Sequence, residues 1–135
     1  MKQLNEIRVP VRNETEIVAA RQKGREMAAQ LGFSSTDLTL IATAISEVAR
    51  NIILYGTRGE IVLALVHKGA KRGLSVVASD KGVGILNIAQ AMQDGFSTSG
   101  GLGLGLPGVK RLMDEFEIVS KVGKGTTVRF KKWLP

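Results

Sequence analysis

The sequence contains no cysteine, which excludes disulfide bonds, thiolate catalysis and cysteine-ligated zinc. The one histidine, His67, excludes a histidine cluster for metal, and we interpret it as structural because it lies in an apolar, strand-like run. Aromatic residues make up only 4% of the chain, so Val, Ile, Leu and Ala must form the core. The sequence also lacks an apolar run of about 20 residues and an apolar signal segment. We therefore expect a cytoplasmic protein with no membrane partner.

Positive charge exceeds negative charge, with a net charge of +7 over 135 residues. Such a balance first suggests nucleic-acid binding. However, the cations are scattered along the chain, and the interleaved aromatic residues that stack on bases are missing. We favour a solvated surface that steers an acidic protein partner, with no nucleic acid bound. A nucleic-acid binder remains the alternative.

Hydrophobic periodicity predicts one domain over residues 1–135. Its class is α+β: a two-layer sandwich with a mixed, mostly antiparallel sheet and helices on one face. Pro10 marks an edge strand, Gly32 a helix stop, and Ser34 with Asp37 a helix cap. We expect the strand at 60–67 to be central and to form a hairpin with the next one. The predicted strands are 6–12, 60–67, 73–79, 116–121 and 126–133, and the predicted helices are 14–31, 36–55, 86–93 and 105–115.

Glu47 and Asn51 form a polar pair on the second long helix. They are four residues apart, so both project from the same face, and the apolar stripe of the helix lies beside them. The pair therefore borders the core. The alternative is that Glu47 forms an ion pair with Arg50 and Asn51 has no particular role.

Three glycine-rich segments accompany this pair. The segment from Asp80 to Gly84 directly follows an apolar strand, where bare backbone can approach a ligand or simply form an Asx turn. The segment from Gly100 to Leu106 runs into a helix, where free N–H groups can bind an anion, or it is a flexible loop. No strand precedes it, which argues against a dinucleotide fingerprint, and Walker A and eukaryotic kinase motifs are absent. The segment from Gly123 to Thr126 alone indicates only a turn.

In order, these four elements resemble the N, G1, G2 and GT motifs of the ATPase superfamily of Hsp90, gyrase, histidine kinases and MutL. The resemblance covers about residues 6–133. Three features narrow this resemblance to one group within the superfamily. They are the short chain, the absence of a dimerisation helix pair, and the segments SEVARN and DGFSTSGGLGLGLPGVKRLMDEF. The chain resembles the GHKL-type serine/threonine kinases of bacterial partner switching, a group that includes anti-sigma factors. The implied fold is the Bergerat ATP-binding fold.

The resemblance implies a role for each matching residue. Asp80 would accept a hydrogen bond from the adenine amino group, which favours ATP over GTP, and Thr126 would assist it. Asn51 would be the ligand of Mg²⁺. Glu47 would be the catalytic carboxylate that accepts the proton of a serine or threonine hydroxyl. Gly82 and Gly84 would pass beside the nucleotide, and the phosphates would be wrapped by Gly101, Leu102, Gly103, Leu104 and Gly105.

The implied activity is ATP-dependent phosphorylation of STAS-domain antagonist proteins in the stressosome, together with binding and activation of a PP2C-type phosphatase. The alternative is an anti-sigma-type binding module that uses ATP as a conformational ligand. A histidine autokinase is a weaker alternative, because no phosphoacceptor helix hairpin is present. One departure from larger relatives is the short segment 85–100, which contains no arginine or lysine to reach the γ-phosphate.

Overall fold

The computed structural model describes residues 6–56, 58–82 and 105–135. They form a five-stranded sheet with the strand order β1-β2-β3-β5-β4. Every pairing among the described strands is antiparallel, so the parallel component of the predicted mixed sheet is not seen. The elements are β1 (Glu6–Val11), α1 (Glu14–Leu31), α2 (Ser35–Asn51), β2 (Gly59–Lys68), β3 (Lys71–Asp80), α3 (Gly105–Leu112), β4 (Glu115–Lys121) and β5 (Gly125–Trp133).

The core lies between one face of the sheet and the helices. Side chains alternate between the two faces of a strand, and one set of alternate positions is buried in each of the inner strands. β1 is an edge strand and β2 is central, as predicted, and β2 and β3 form the predicted hairpin. The α+β two-layer class is therefore confirmed. The sheet contributes to this core through Val9, Val11, Ile61, Leu63, Val76, Ala78, Val128 and Phe130.

Local signals at the helix ends are realised as predicted. The Ser34 hydroxyl accepts a hydrogen bond from the Asp37 N–H, and Gly32 ends α1 in the left-handed conformation with φ +103°. Gly24 brings α1 against α2, since a Cβ at this position would collide with the side chain of Ile45. These contacts fix α2 over the sheet, and α3 packs against α2.

The predicted second helix, 36–55, is divided in the structure. The α-helix ends at Asn51, and a π-helical turn, Ile52–Gly56, follows it. Periodicity did not reveal this change because Ile52 stays buried in the core through the turn. The predicted helix 86–93 lies outside the described residues. None of the helices within the described ranges is long and apolar enough to cross a membrane.

Candidate active site

One row of cross-strand neighbours carries the candidate site. It runs across all five strands as Val11, Gly59, Asp80, Thr126 and Ser120, each directly opposite the next. Val11 and Thr126 are buried, which places this row on the face that the helices cover. The row lies where β3 ends and β5 begins. The antiparallel register thus brings Asp80 and Thr126 together, as the site prediction requires.

Asp80 is held by the backbone on two sides. Its Oδ1 atom accepts a hydrogen bond from the Gly82 N–H at 2.8 Å, and the Thr126 N–H also donates to the carboxylate. Partial burial raises the pKa of Asp80, although both hydrogen bonds act in the opposite direction. The Gly82 contact is the Asx turn that we gave as the alternative reading. The carboxylate can still accept further hydrogen bonds, because it has about four lone-pair sites.

Two glycines flank Asp80 on the neighbouring strands. A Cβ at Gly125 would collide with the Asp80 carbonyl oxygen, and a Cβ at Gly59 would collide with the Ser79 carbonyl oxygen. Gly125 also has φ +104°, which side chains rarely tolerate. Both positions therefore require bare backbone, which lets the strands close tightly around the carboxylate.

Glu47 is a nearly buried carboxylate on α2, with 7% of its surface exposed. It makes no hydrogen bond or ion pair with any described residue, so the alternative pairing with Arg50 is not observed. Close to it in sequence, the Ser46 hydroxyl and the Arg50 Nη1 atom are buried without partners among the described residues. Burying a polar group without a partner costs free energy, so each such group in a folded protein calls for an explanation.

The remaining predicted site residues are placed as follows. Asn51 is the half-buried last residue of α2, and the π-helical turn after it contacts β2 and β3. The turn ends at Gly56, three residues before Gly59, and Gly59 lies directly opposite Asp80, so the C-terminal end of α2 lies towards the end of the sheet that carries Asp80. Gly105 begins α3 with φ +55°. The other predicted residues lie outside the described ranges: Gly84, Gly101, Leu102, Gly103 and Leu104.

A second feature, a concavity of about 930 Å³, opens at the same end of the sheet but on the opposite face. Ser79 and Thr127 line it, and they belong to the neighbouring cross-strand row, whose side chains point away from the helices. Arg58, Lys81 and Lys124 also line it and give it a basic character. Asp80 and Gly82 border both features. We name this feature the outer concavity.

The donor set on the helix-covered face fits one kind of metal. In the part of the chain that the structure describes, no three His, Cys, Asp or Glu side chains cluster. A cage built from protein ligands alone is therefore absent there. Mg²⁺ typically needs only one or two protein oxygens beside phosphates and water. The amide oxygen of Asn51 is such a donor.

Sequence reasoning missed Ser120. Its Oγ atom lies 2.7 Å from the Thr126 Oγ1 atom and 3.2 Å from the Gly125 carbonyl oxygen. A signal was present, since Phe116, Ile118 and Ser120 alternate along β4 and share the face of Thr126. Only the register of β4 with β5 identifies the hydroxyl as a neighbour of the site.

Comparisons with known proteins agree with this geometry. Residues 9–132 match the family described as histidine kinase-like ATPase domain. The chain is 55% identical over 126 residues to the serine/threonine-protein kinase RsbT of Bacillus subtilis (strain 168), covering 93% of this chain and 95% of that protein. It is 35% identical over 122 residues to the anti-sigma F factor of Geobacillus sp. (strain WCH70), covering 85% of this chain and 82% of that protein.

Solved structures show the same fold. The RsbU and RsbW domains of a Mycobacterium tuberculosis protein superpose with a TM-score of 0.64 at 22% identity. The match covers 96% of this chain and 33% of that one. The mycobacterial sensor histidine kinase MprB superposes with a TM-score of 0.54 at 17% identity, covering 94% of this chain and 97% of that one. From the family match and the close relatives, the chain belongs to the histidine kinase-like ATPase family and, within it, to the serine/threonine-protein kinases related to anti-sigma factors.

Proposed function

We propose that this kinase transfers the γ-phosphoryl group of ATP to a serine or threonine of a STAS-domain stressosome protein. We further propose that it binds and activates a PP2C-type phosphatase in a bacterial stress-signalling partner switch. The observation that carries the proposal is the nearly buried Glu47 carboxylate, without a described partner and one helical turn before Asn51. The substrate class follows from the family resemblance. We expect residues 1–135 to act as one domain in the cytoplasm, where ATP is available.

In this proposal, Asp80 and Thr126 bind the adenine. The Asp80 carboxylate is fixed by two backbone N–H groups and keeps acceptor capacity for the adenine amino group. Guanine would present a carbonyl oxygen to this acceptor, so ATP is preferred over GTP. Gly82 and Gly84 would lie beside the base, and the loop 101–105 would surround the phosphates, with Gly105 at the start of α3.

Asn51 would hold Mg²⁺ through its amide oxygen. The bound ion would neutralise part of the phosphate charge. The chain itself contributes the position of this oxygen. Asn51 lies at the end of α2, one helical turn from Glu47. The same helix thus carries the metal ligand and the proton acceptor, so their relative placement does not depend on loop conformation.

Glu47 would act as the general base. The substrate hydroxyl oxygen forms a bond to the γ-phosphorus, the bond from that phosphorus to the bridging oxygen breaks, and ADP leaves. The hydroxyl proton passes to the Glu47 carboxylate. Because the carboxylate has no partner among the described residues, no ion pair with any of them has to break before it accepts the proton.

A transfer assay tests this function. Purified protein is incubated with Mg²⁺, γ-labelled ATP and a purified STAS-domain stressosome protein, and label on serine or threonine is measured. We expect stoichiometric labelling by the wild type and none by Asn51→Ala. ATP binding without labelling of any STAS-domain protein would contradict the kinase proposal.

The second candidate function is an anti-sigma-type binding module, favoured by the 35% identity to an anti-sigma F factor. In that case ATP would act as a conformational ligand for a sequestered sigma factor. ATP-dependent association with a sigma factor, measured by gel filtration without label transfer, would support this candidate over the kinase. Both activities could reside in one molecule.

A further inference from the structure

Ser120 and Thr126 form a hydroxyl pair beside Asp80. The two oxygens are 2.7 Å apart, and the Ser120 hydroxyl also donates to the Gly125 carbonyl oxygen at 3.2 Å. Thr126 is 4% exposed, and its β-branched side chain has few rotamers. The position of the Thr126 oxygen is therefore fixed, and only the direction of its hydrogen is adjustable.

Hydrogen-bond directions follow from the number of hydrogens. A hydroxyl group has one hydrogen, and a carbonyl oxygen can only accept. When Ser120 gives its hydrogen to the Gly125 carbonyl, the short contact between the hydroxyls must use the hydrogen of Thr126. The Thr126 oxygen then presents only lone pairs to its other neighbours. It becomes an acceptor, like the Asp80 carboxylate directly opposite on β3.

We propose that Ser120 is a positioning residue that turns Thr126 into a hydrogen-bond acceptor and thereby strengthens the selection of a 6-amino purine. This inference rests on the proposed nucleotide site. Two adjacent acceptors match the hydrogens of an exocyclic amine. A purine with a carbonyl oxygen in that place would face acceptors only, and these groups would be left unpaired.

The variant Ser120→Ala tests the inference in the full-length protein. Without Ser120, the Thr126 hydrogen is free to rotate towards the ligand. Affinity for Mg·ATP should fall roughly three- to tenfold, the range for one neutral hydrogen bond. Affinity for Mg·ITP, which carries a carbonyl oxygen in place of the amine, should stay level or rise. The ATP/ITP affinity ratio should therefore fall by at least about threefold.

Matched variants separate positioning from general damage. Ser120→Thr keeps the hydroxyl and should retain the wild-type ratio. Ser75→Ala makes the same change on the opposite face of the sheet and should alter neither affinity. In a Thr126→Val background, Ser120→Ala should have no further effect, because the coupled partner is gone. If Ser120→Ala fails to fold, the isosteric Ser120→Cys, a weak donor, replaces it.

The outcomes distinguish this inference from the proposed function. Wild-type protein that binds no ATP would overturn both. Wild-type protein that binds ATP, together with a folded Ser120→Ala variant of unchanged ATP/ITP ratio, would overturn the role of Ser120 alone. An equal loss of affinity for both nucleotides would also overturn it, because that result indicates only a structural effect.

Discussion

Replacing Glu47 with glutamine should separate nucleotide binding from phosphoryl transfer. The change keeps the size of the side chain and removes its charge and its ability to take a proton. General-base catalysis contributes roughly 100- to 10,000-fold to a rate, which corresponds to about 3–5 kcal/mol of activation free energy. We therefore expect transfer to fall within that range. ATP affinity should change less than about threefold, since Glu47 is not placed among the ligands of the nucleotide.

The structure also fixes the expected effect of Glu47→Gln on stability. The carboxylate is nearly buried and has no partner among the described residues, so the change breaks no ion pair with any of them. Because no such contact is lost and the volume of the side chain is kept, we expect Glu47→Gln to retain the free energy of unfolding of the wild type. A marked loss of stability would indicate an ion pair that the described residues do not show.

Single-turnover transfer of label to the STAS-domain protein measures the rate, and calorimetry measures the affinity for Mg·ATP. Glu26→Gln is the matched control, because Glu26 is an exposed carboxylate on α1 and should leave rate and affinity unchanged. Transfer by Glu47→Gln at the wild-type rate would refute the assigned role. Loss of ATP binding in that variant would instead indicate that Glu47 contributes to nucleotide binding and not to the chemical step.

Four further predictions concern the same site. Asn51→Ala should abolish the Mg²⁺-dependent increase in ATP affinity, measured by titration with and without the metal, and an unchanged increase would exclude the amide as a ligand. Burial raises the folded-state pKa of Asp80 above 3.8, so the wild type should lose stability relative to Asp80→Asn as the pH rises from 3.8 through that pKa. A difference in melting temperature between the two proteins that stays constant from about pH 3.5 to 7 would contradict this. Asp80→Ala should weaken ATP binding by roughly 10- to 150-fold in the same titration, and unchanged affinity would remove Asp80 from the site. Gly125→Ala should destabilise the fold, measured by denaturant unfolding, by more than the strain of a left-handed backbone, which costs about 1–3 kcal/mol. The reason is that the added Cβ would also collide with the Asp80 carbonyl oxygen. Gly123→Ala is the control with φ +79° and open space around it, and it should show the backbone strain alone.

Much of the fold could be predicted from local physical signals. The Ser34 cap and the Gly32 stop act within a few residues, so the sequence alone reveals them. The edge position of β1 followed from Pro10, which cannot donate to a central ladder. The π-helical turn after Asn51 was not predicted, because a buried Ile52 is compatible with either helix type. The all-antiparallel pairing was only partly predicted, since strand direction depends on contacts distant in sequence.

The candidate site shows the same limit. Asp80, Glu47 and Asn51 stand out in the sequence because their residue types and spacing match a known chemistry. Ser120 carries no such motif, and its proximity to Thr126 depends on the register between β4 and β5. The tight approach of Gly125 to the Asp80 carbonyl likewise arises from strand pairing. The sequence therefore predicts the groups that we propose to contact the ligand, whereas the strand register was needed to find the residues that would orient them.

A crystal structure of the protein with Mg²⁺ and a non-hydrolysable ATP analogue tests the central claim most directly. We predict the adenine within hydrogen-bonding distance of Asp80 and Thr126, the metal bound to the Asn51 amide oxygen, and the Glu47 carboxylate facing the γ-phosphate. A nucleotide bound instead in the outer concavity, against Arg58 and Lys81, would contradict the account.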